Sequence, residues 1–521
     1  MSTAYRLFAA LGGVALLAAS GWALVSFVPS LRRKPPLLRI AWSYLLGCAF
    51  AGVSLYALSH WGGVELRRGT ILPVLLMPLA LAAWMRRKAP RSASSPRPAS
   101  SHTARAAVAL AALSGAFVSA AVFADALSGV QCGFDARMTW NAHAGFVRAA
   151  RTVDAPVLLD GGTYLHNPKY PLLLPILQVA VQETFDTDDD ERVTRPLYAV
   201  FLPVLLLVVF DVAAPRAGTL AAALIVLAMA LLPALAFEWD GGAITSYADI
   251  PLGLFWGAGL ALSLSAPWRP PEALTAGLLL GAGALAKTEG LLLGAIVVAL
   301  AALRALRRAR RTKRLGPVRA TALAAAVFAA AAALCLSWRA QVPNRNSETW
   351  DEVTAGQIVS GVAQRLPAVL HFVRIEMARP EVWSRFWWLA PALFLLGARA
   401  LNRPFARGLL VASAAALAVY LAAYGGSSWT PEHLVHPTWN RFLSQLAVPL
   451  YVLLACAVAD AFGRSQRAPR GGRPKSFVFP AAASCRMSGA GSSSTNHTAP
   501  SSAPVARRFR PNMTVQSSST A

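Results

Sequence analysis

Long apolar runs separated by short polar turns constrain the fold of this chain more than any other feature. Of its 521 residues, 56% are hydrophobic and only 14% are charged, whereas soluble proteins carry about 25% charged residues. The runs have roughly the length of membrane-spanning helices and lack the strict alternation of barrel strands. Because lipid offers the backbone no hydrogen bonds, only helices and closed barrels cross it. The chain is therefore expected to be an all-α polytopic membrane protein.

The apolar segments predict the number of transmembrane helices. We expect about thirteen, within a range of about 11 to 13, at approximate positions 7–28, 37–59, 69–85, 106–124, 197–213, 218–237, 250–266, 273–286, 291–303, 320–338, 387–401, 405–424 and 442–462. A helix of about 14 residues rises only about 21 Å, less than the roughly 30 Å hydrocarbon core. The short pair 273–286 and 291–303 is therefore also open to a re-entrant hairpin.

Basic residues predict the orientation. The net charge is +25, but the lysines and arginines cluster between apolar runs, so we interpret them as topology anchors and expect no nucleic acid partner. The densest run lies between 304 and 319, and two others lie at 86–105 and beyond 463. Even numbers of apolar segments separate these runs, which places all three on one side of the membrane, the cytoplasmic side.

This orientation divides the chain into four parts. They are N-terminal transmembrane helices at 1–85, a flexible basic cytoplasmic linker at 86–105, a second transmembrane domain at 106–462 and a disordered basic cytoplasmic tail at 463–521. The tail is rich in serine, alanine, proline and arginine, a composition that cannot bury a core. The same orientation puts four loops on the outer face: 125–196, 238–250, 339–386 and 425–441.

The first outer loop carries several residue types suited to chemistry. Asp135 and Trp140 follow the helix that leads into the loop, and His166 precedes the run Lys169-Tyr170-Pro171. A carboxylate at the membrane surface can accept a proton as a general base, and a lysine there can bind phosphate. A solvated loop acid and a lysine extended toward water are the alternative interpretations. His143 and His166 have no partner at metal-ligand spacing, so we assign no metal site.

Three charged positions in the later outer turns extend this pattern. Asp249 starts an apolar helix, Lys287 and Glu289 interrupt an apolar hairpin, and Arg441 begins the last helix from outside. Acids near bilayer depth tend to be functional, although Asp249 would also suit a helix N-terminus and the lysine and glutamate would neutralise each other. An arginine on the outer face goes against the positive-inside tendency, and a bound phosphate would account for it.

Together these motifs resemble the bacterial GT-C-fold polytopic membrane glycosyltransferases, which are related to protein mannosyltransferases and to the aminoarabinose transferases of lipid A. The resemblance rests on an early aspartate in a large first outer loop, a Tyr-Pro pair before an apolar run, Tyr-Ala-Asp249-Ile-Pro, Lys287-Thr-Glu-Gly and a late arginine. It covers 106–462. The chain departs from the family pattern because Ala136 stands where some members have a second acid, and because three helices precede the matching region.

The resemblance implies a GT-C-like fold and an inverting single displacement. The donor would be a polyprenyl-phosphate sugar, and the acceptor a lipid, a glycan or a protein. Asp135 and Asp249 would be the catalytic acids. The substrate-binding residues would be Lys169, Tyr170, His166, Trp140, Lys287, Glu289 and Arg441. The enzyme would lie in the bacterial inner membrane, with its active site facing the periplasm or exterior.

Other functions stay open at this point. A transporter or flippase of lipid-linked sugars would need the same outer cations and intramembrane acids, although the sequence has no internal repeat of the kind many transporters show. A lipid-linked glycan polymerase or ligase would share the donor, and a non-enzymatic scaffold is the third alternative. No cofactor is assigned, but the acidic run 186–191 leaves a divalent metal ion open.

Overall fold

The computed structural model describes residues 2–86, 101–130, 133–162, 165, 167–187, 190–265, 269–343, 355–427 and 429–465. These residues form helices joined by short connections, and no strand occurs among them. The described residues belong to one unit, Met1–Arg467. The predicted flexible linker and disordered tail fall largely outside the described residues, at 87–100 and 466–521.

The N-terminal helices pack closely around small residues. They are α1 (Thr3–Phe27), α2 (Pro29–Arg32), α3 (Pro36–His60), α4 (Arg68–Arg86) and α5 (His102–Ser128). A Cβ atom at Gly21 of α1 would lie 1.7 Å from the carbonyl oxygen of Ser43, and one at Gly47 of α3 would lie 1.8 Å from that of Leu17. Two glycines thus let the α1 and α3 backbones touch, as small residues do at membrane helix interfaces.

The first outer loop is mostly helical. After a π-helical turn at Ala136–Asn141 come α6 (Ala142–Ala150), α7 (Pro156–Leu159), α8 (Leu173–Phe185) and α9 (Glu191–Ala199). Helix α6 corresponds to an amphipathic run in the sequence at 141–151, and the apolar α8 is buried along most of its length. The loop therefore packs into the body of the protein.

A chain of side-chain contacts fixes the centre of this loop. The ring nitrogens of His60, at the end of α3, lie 2.7 Å from Asp154 Oδ1 and 3.0 Å from Ser337 Oγ. The indole of Trp338 donates a hydrogen bond of 3.4 Å to the carbonyl oxygen of Val153. Residues 152–155 are thereby attached to helices far away in the sequence.

The middle of the chain supplies most of the core. Its elements are α10 (Phe201–Ala217), α11 (Thr219–Leu231), α12 (Pro233–Ala236), a 3₁₀ turn (Ala243–Thr245), α13 (Asp249–Leu264), α14 (Pro270–Ala286), α15 (Glu289–Thr312) and α16 (Gly316–Gln341). Helix α13 is buried at nearly every position. Helix α15 continues into the basic run between 304 and 319, which we had placed between two apolar segments. The backbone turns at Lys313, whose φ is 53°. With 24 residues, α15 is long enough to cross a membrane, unlike the short segment predicted there.

The last elements include a long helix where we predicted a loop. They are α17 (Ala355–Ala378), α18 (Pro380–Trp383), α19 (Phe386–Leu396), α20 (Ala398–Leu401), α21 (Pro404–Gly426), α22 (Pro431–Gln445) and α23 (Ala447–Ser465). The predicted outer loop 339–386 contains helix α17, which is not among the candidate membrane spans. Helix α17 packs along α21 through Gly361, whose Cβ would lie 2.0 Å from the Gly425 carbonyl oxygen. Interleaved polar residues had obscured this helix.

Several helices have the length and composition of membrane spans. Within the described residues eight qualify, or nine if α22 and α23, which meet at a 65° bend, count as one broken span. The thirteen expected spans are not confirmed. Four apolar helices have only 10–17 residues, and the first of them lies in the predicted outer loop 125–196 and was not among the thirteen segments. They are Leu173–Phe185, Thr219–Leu231, Asp249–Leu264 and Phe386–Leu396. The architecture is that of an all-helical polytopic membrane protein, and its orientation stays a prediction.

Candidate functional site

Asp249, the first residue of α13, lies at the centre of a buried charge cluster. Its side chain is fully buried. Oδ1 accepts hydrogen bonds from Lys287 Nζ at 2.9 Å and from Gln445 Nε2 at 2.6 Å. Oδ2 accepts one from Arg441 Nε at 2.9 Å. A buried carboxylate is tolerated only with such partners, because desolvating an unpaired charge costs several kcal/mol or more.

Arg441 joins this aspartate to the first outer loop. Its Nη1 lies 2.7 Å from Asp135 Oδ2 while its Nε holds Asp249. The Arg441 side chain is 10% exposed and that of Asp135 is 15% exposed, so their pair lies nearer the solvent than Asp249 does. Asp135 directly precedes the π-helical turn, a local widening of the helix that often marks functional sites.

Lys287 extends the cluster to the turn between α14 and α15. Its Nζ lies 2.9 Å from Asp249 and 3.0 Å from Glu289 Oε1. Burial favours the neutral amine, but the carboxylates of Asp249 and Glu289 outweigh it and raise the pKa of Lys287 above its ordinary value. Lys287 is therefore a charged ammonium in a nearly dry environment. We refer to Asp135, Asp249, Lys287, Glu289 and Arg441 as the charge cluster.

Two aromatic rings border the cluster. The rings of Trp140 and Tyr170 stack at 5.5 Å with an interplanar angle of 13°, and Lys287 Nζ lies 5.9 Å from the Tyr170 ring centre. Burial raises the pKa of Tyr170 to about 12, so its hydroxyl stays protonated. Among the described residues, the buried atoms Trp140 Nε1 and Glu289 Oε2 have no hydrogen-bond partner. A donor and an acceptor near this cluster are thus unsatisfied, which is costly unless a ligand or water meets them.

The loop after α12 closes over Arg441. Gly241 has a φ of 109°, and a Cβ there would lie 2.7 Å from Arg441 Cγ. The guanidinium carbon lies 4.7 Å from the ring centre of Tyr247. Burial raises the pKa of Asp240 above its ordinary value, although nearby Arg441 opposes that shift. Only glycine combines this backbone angle with such a close approach.

The structure therefore brings together most of the residues singled out from sequence. Asp135, Trp140, Tyr170, Asp249, Lys287, Glu289 and Arg441 form one continuous set of contacts. For Lys169 the described link is through the backbone. Its carbonyl oxygen accepts a hydrogen bond of 3.0 Å from Arg339, which also donates to Thr288 in the turn beside Lys287. His166 lies outside the described residues.

Asp125, an acid near the end of α5, has a different environment. Its Oδ2 lies 2.6 Å from Arg195 Nη2. The same guanidinium donates to the carbonyl oxygens of Gly129 at 2.6 Å and Ile244 at 3.1 Å. Asp125 and Arg195 therefore fasten the end of α5 to α9 and the 3₁₀ turn.

Sequence reasoning missed several members of the site. Gln445 follows Arg441 by four residues, the spacing that puts two side chains on one helix face. The sequence could therefore have identified Gln445 as a member of the site. Tyr420, whose hydroxyl donates to Gln445 Oε1, and Arg339 lie on other helices. Nothing in the local sequence of either residue indicates the contact.

Among the described residues, no group of three or more His, Cys, Asp or Glu side chains is arranged to hold a metal ion. Asp188 and Asp189, the middle of the acidic run, lie outside the described residues. The charge cluster itself combines three carboxylates with two cations that already neutralise most of their charge.

Comparison with known proteins gives no assignment: no family model matches the chain, and no curated protein matches it.

Proposed function

We propose that this protein is a membrane glycosyltransferase that moves a sugar from a polyprenyl-phosphate donor to an acceptor hydroxyl at the outer face. The observation that carries the proposal is Arg441, a nearly buried arginine shared between Asp135 and Asp249. The deeper acid, Asp249, holds Nε of this guanidinium, and Asp135, which lies nearer the solvent, holds Nη1. An arginine held in this way can exchange its outer partner for a phosphate, which it binds with bidentate geometry.

Donor binding would begin with this exchange. A sugar phosphodiester carries one negative charge, as does Asp135, so the phosphate can replace Asp135 at Arg441 Nη1 without changing the net charge at the site. Asp249 stays in place, because it is fully buried and holds both Arg441 and Lys287. In this mechanism Asp249 positions the two cations, and Asp135 becomes available for proton transfer.

The reaction is a single displacement. The acceptor oxygen forms a bond to the anomeric carbon as the bond from that carbon to the phosphate oxygen breaks. Asp135 takes the proton from the acceptor hydroxyl, as a general base. The leaving polyprenyl phosphate keeps the bonding electron pair and gains one negative charge, which Arg441 and Lys287 stabilise in a low-dielectric environment. Attack from the side opposite the leaving group inverts the anomeric configuration.

The aromatic border would receive the sugar. Tyr170 is partly buried and stacks on the buried ring of Trp140, so it offers a flat aromatic surface beside the phosphate-binding cations. The unsatisfied Trp140 Nε1 and Glu289 Oε2 offer a donor and an acceptor for sugar hydroxyls. This combination favours transfer of a sugar over hydrolysis of a simple phosphate ester.

The test is transfer of label from radiolabelled polyprenyl-phosphate sugars in membranes containing the wild type, Asp135→Asn or Asp125→Asn. Asp125→Asn is the matched control, since it also removes a loop acid paired to an arginine. We expect transfer with the wild type and the control, and a rate lower by about 10² to 10⁴ with Asp135→Asn, the usual contribution of a general base.

Three results would contradict the proposal in different ways. Transfer no greater than in membranes lacking the protein, across a panel of donors, would exclude the enzyme as proposed. Full transfer by Asp135→Asn would place the base elsewhere. Movement of labelled donor across the membrane without transfer to an acceptor would favour a flippase.

A further inference from the structure

A second charged site lies at the opposite end of α13 from Asp249. A cavity of about 250 Å³ opens between the α2–α3 connection and the ends of α10, α13 and α14. Its charged lining residues are Arg33, Lys34, Asp211, Arg216, Arg269 and Glu272. Since α13 has 16 residues, the two sites are separated by about 24 Å along the helix axis.

Cations outnumber acids in this cavity. Lys34 Nζ lies 2.7 Å from Asp211 Oδ1, and the indole of Trp42 donates a hydrogen bond of 2.9 Å to Oδ2 of the same residue. Among the described residues, Arg33, Arg216 and Arg269 form no ion pair with a carboxylate. With Glu272 counted, four cations face two acids, which leaves two uncompensated positive charges.

The side chain of Arg216 is fixed in position, although none of the described carboxylates forms an ion pair with it. Its Nη2 donates to Ser265 Oγ at 2.8 Å, and its guanidinium carbon lies 3.6 Å from the ring centre of Phe405. Both contacts fix the position of the charge without neutralising it. Asp211 also fixes Lys34 in position, but it pairs with the ammonium, and it leaves the lysine side chain 25% exposed at the cavity wall.

The cavity lies where candidate spans begin and end. Helix α3 starts there, and the apolar span Glu191–Ala217 finishes there. Helix ends of this kind lie at headgroup depth in a bilayer. A volume of 250 Å³ is below the roughly 300–1,000 Å³ of sites for drug-sized ligands, and it suits a single headgroup.

We propose that this cavity binds a phosphate group, carried by an anionic lipid headgroup or free in solution. Two net positive charges match a phosphodiester or a phosphomonoester, and arginine side chains provide forked donors for its oxygens. Lys34 and Arg216 form the fixed wall, while exposed Arg33 and Arg269 close on the ligand from the rim. The site is independent of the glycosyltransferase proposal, because it shares no residue with the charge cluster.

The test uses the full chain purified in mild detergent. Retention of radiolabelled phosphatidylglycerol through gel filtration is compared with retention of phosphatidylcholine. The variants are Arg33→Gln/Arg269→Gln, the control Arg310→Gln/Arg311→Gln, and Glu272→Gln. The control removes the same charge from exposed residues of α15, and Glu272→Gln makes the cavity more positive.

The two sources of phosphate give different results. If the ligand is a headgroup, the wild type and the control retain phosphatidylglycerol in preference to phosphatidylcholine. The Arg33/Arg269 variant binds it about 10- to 30-fold more weakly, since each cation near a membrane surface contributes about tenfold or less. Glu272→Gln binds more tightly. If the ligand is free phosphate, millimolar inorganic phosphate raises the melting temperature of the wild type and the control but not that of the Arg33/Arg269 variant.

Equal lipid retention by all four proteins, together with no phosphate effect on melting, would overturn the proposal. So would equal losses in the Arg33/Arg269 variant and the Arg310/Arg311 control, because binding would then follow total charge and not this cavity.

Discussion

The two ends of α13 handle charge in opposite ways. At its N-terminus three carboxylates surround two cations, and every cation has at least two acidic partners. At its C-terminus four cations line a cavity with two acids. At the first end both cations are compensated and nearly dry, with one carboxylate in excess. The other end is open and carries excess positive charge.

The difference indicates how each end can bind an anion. The open cavity can accept a phosphate directly, because its charge is not yet compensated. The charge cluster can accept one only by releasing an acid, which couples binding to the freeing of Asp135. A compensated site therefore suits a reaction, and an uncompensated site suits retention of a ligand.

Removing the central acid should give the largest effect. Asp249→Leu leaves Lys287 buried with only Glu289 as partner, and loss of one member of a buried ion pair costs about 3–5 kcal/mol. We expect a large fall in the thermal midpoint measured in detergent. The double variant Asp249→Leu/Lys287→Met, in which Arg441 keeps Asp135, should recover part of this loss. A loss in the double variant equal to the sum of the losses of Asp249→Leu and Lys287→Met would show that the two residues are not coupled.

The corresponding acid at the other end should matter less. Asp211→Asn removes the partner of Lys34, whose side chain is 25% exposed and can turn toward water. We expect a loss of about 1.5–3 kcal/mol, the range for hydrogen bonds to charged groups. A loss as large as that of Asp249→Leu in the same melting assay would erase the distinction between the two ends.

Gly241→Ala tests the closeness of the loop over Arg441. A left-handed backbone costs a non-glycine residue about 1–2 kcal/mol, and here the new methyl group also presses on Arg441. Gly63→Ala is the control, because its φ is 61° and its Cβ would have open space. We expect both to lower the melting temperature and only Gly241→Ala to lower sugar transfer. Equal transfer by both variants would mean that Arg441 does not need this loop.

Asp240→Asn should have the smallest effect, and its sign depends on pH. Because folding raises the pKa of Asp240 above its ordinary 3.8, the carboxyl group contributes most to stability below that value. The contribution is lost as the pH rises through the folded-state pKa. The variant should therefore be more stable than the wild type at pH 7, by about 0.5 kcal/mol or less, and equal to it near pH 4. A lower melting temperature at pH 7 would show that the electrostatic attraction to Arg441 outweighs burial.

Sequence order was enough to predict which charged residues share one side of the protein. Asp135, Asp249, Lys287 and Arg441 each follow or precede an apolar run, so counting the runs put all four at the same end. The mutual neutralisation of Lys287 and Glu289, an alternative that the sequence left open, corresponds to their ion pair of 3.0 Å.

What the sequence did not indicate was the pairing among these residues. We expected Lys287 and Arg441 to bind phosphate and Asp249 to be a second catalytic acid, but the two cations are bound to Asp249. Hydropathy locates a charge along the chain but carries no information on side-chain geometry within a packed interior. Helix α17 was missed for a related reason, since packing through Gly361 depends on a distant partner.

The separation of these partners along the chain has a consequence for biosynthesis. Asp249 and Lys287 are 38 residues apart, so they are synthesised within a short time of each other. Their ion pair can therefore form before the α13–α14 hairpin enters the bilayer. Arg441 is 192 residues from Asp249 and emerges only after α21. Until Arg441 is synthesised, Asp135 lacks the arginine with which it forms an ion pair. Nascent chains released before α22 will therefore carry a charge cluster that lacks the arginine shared by Asp135 and Asp249.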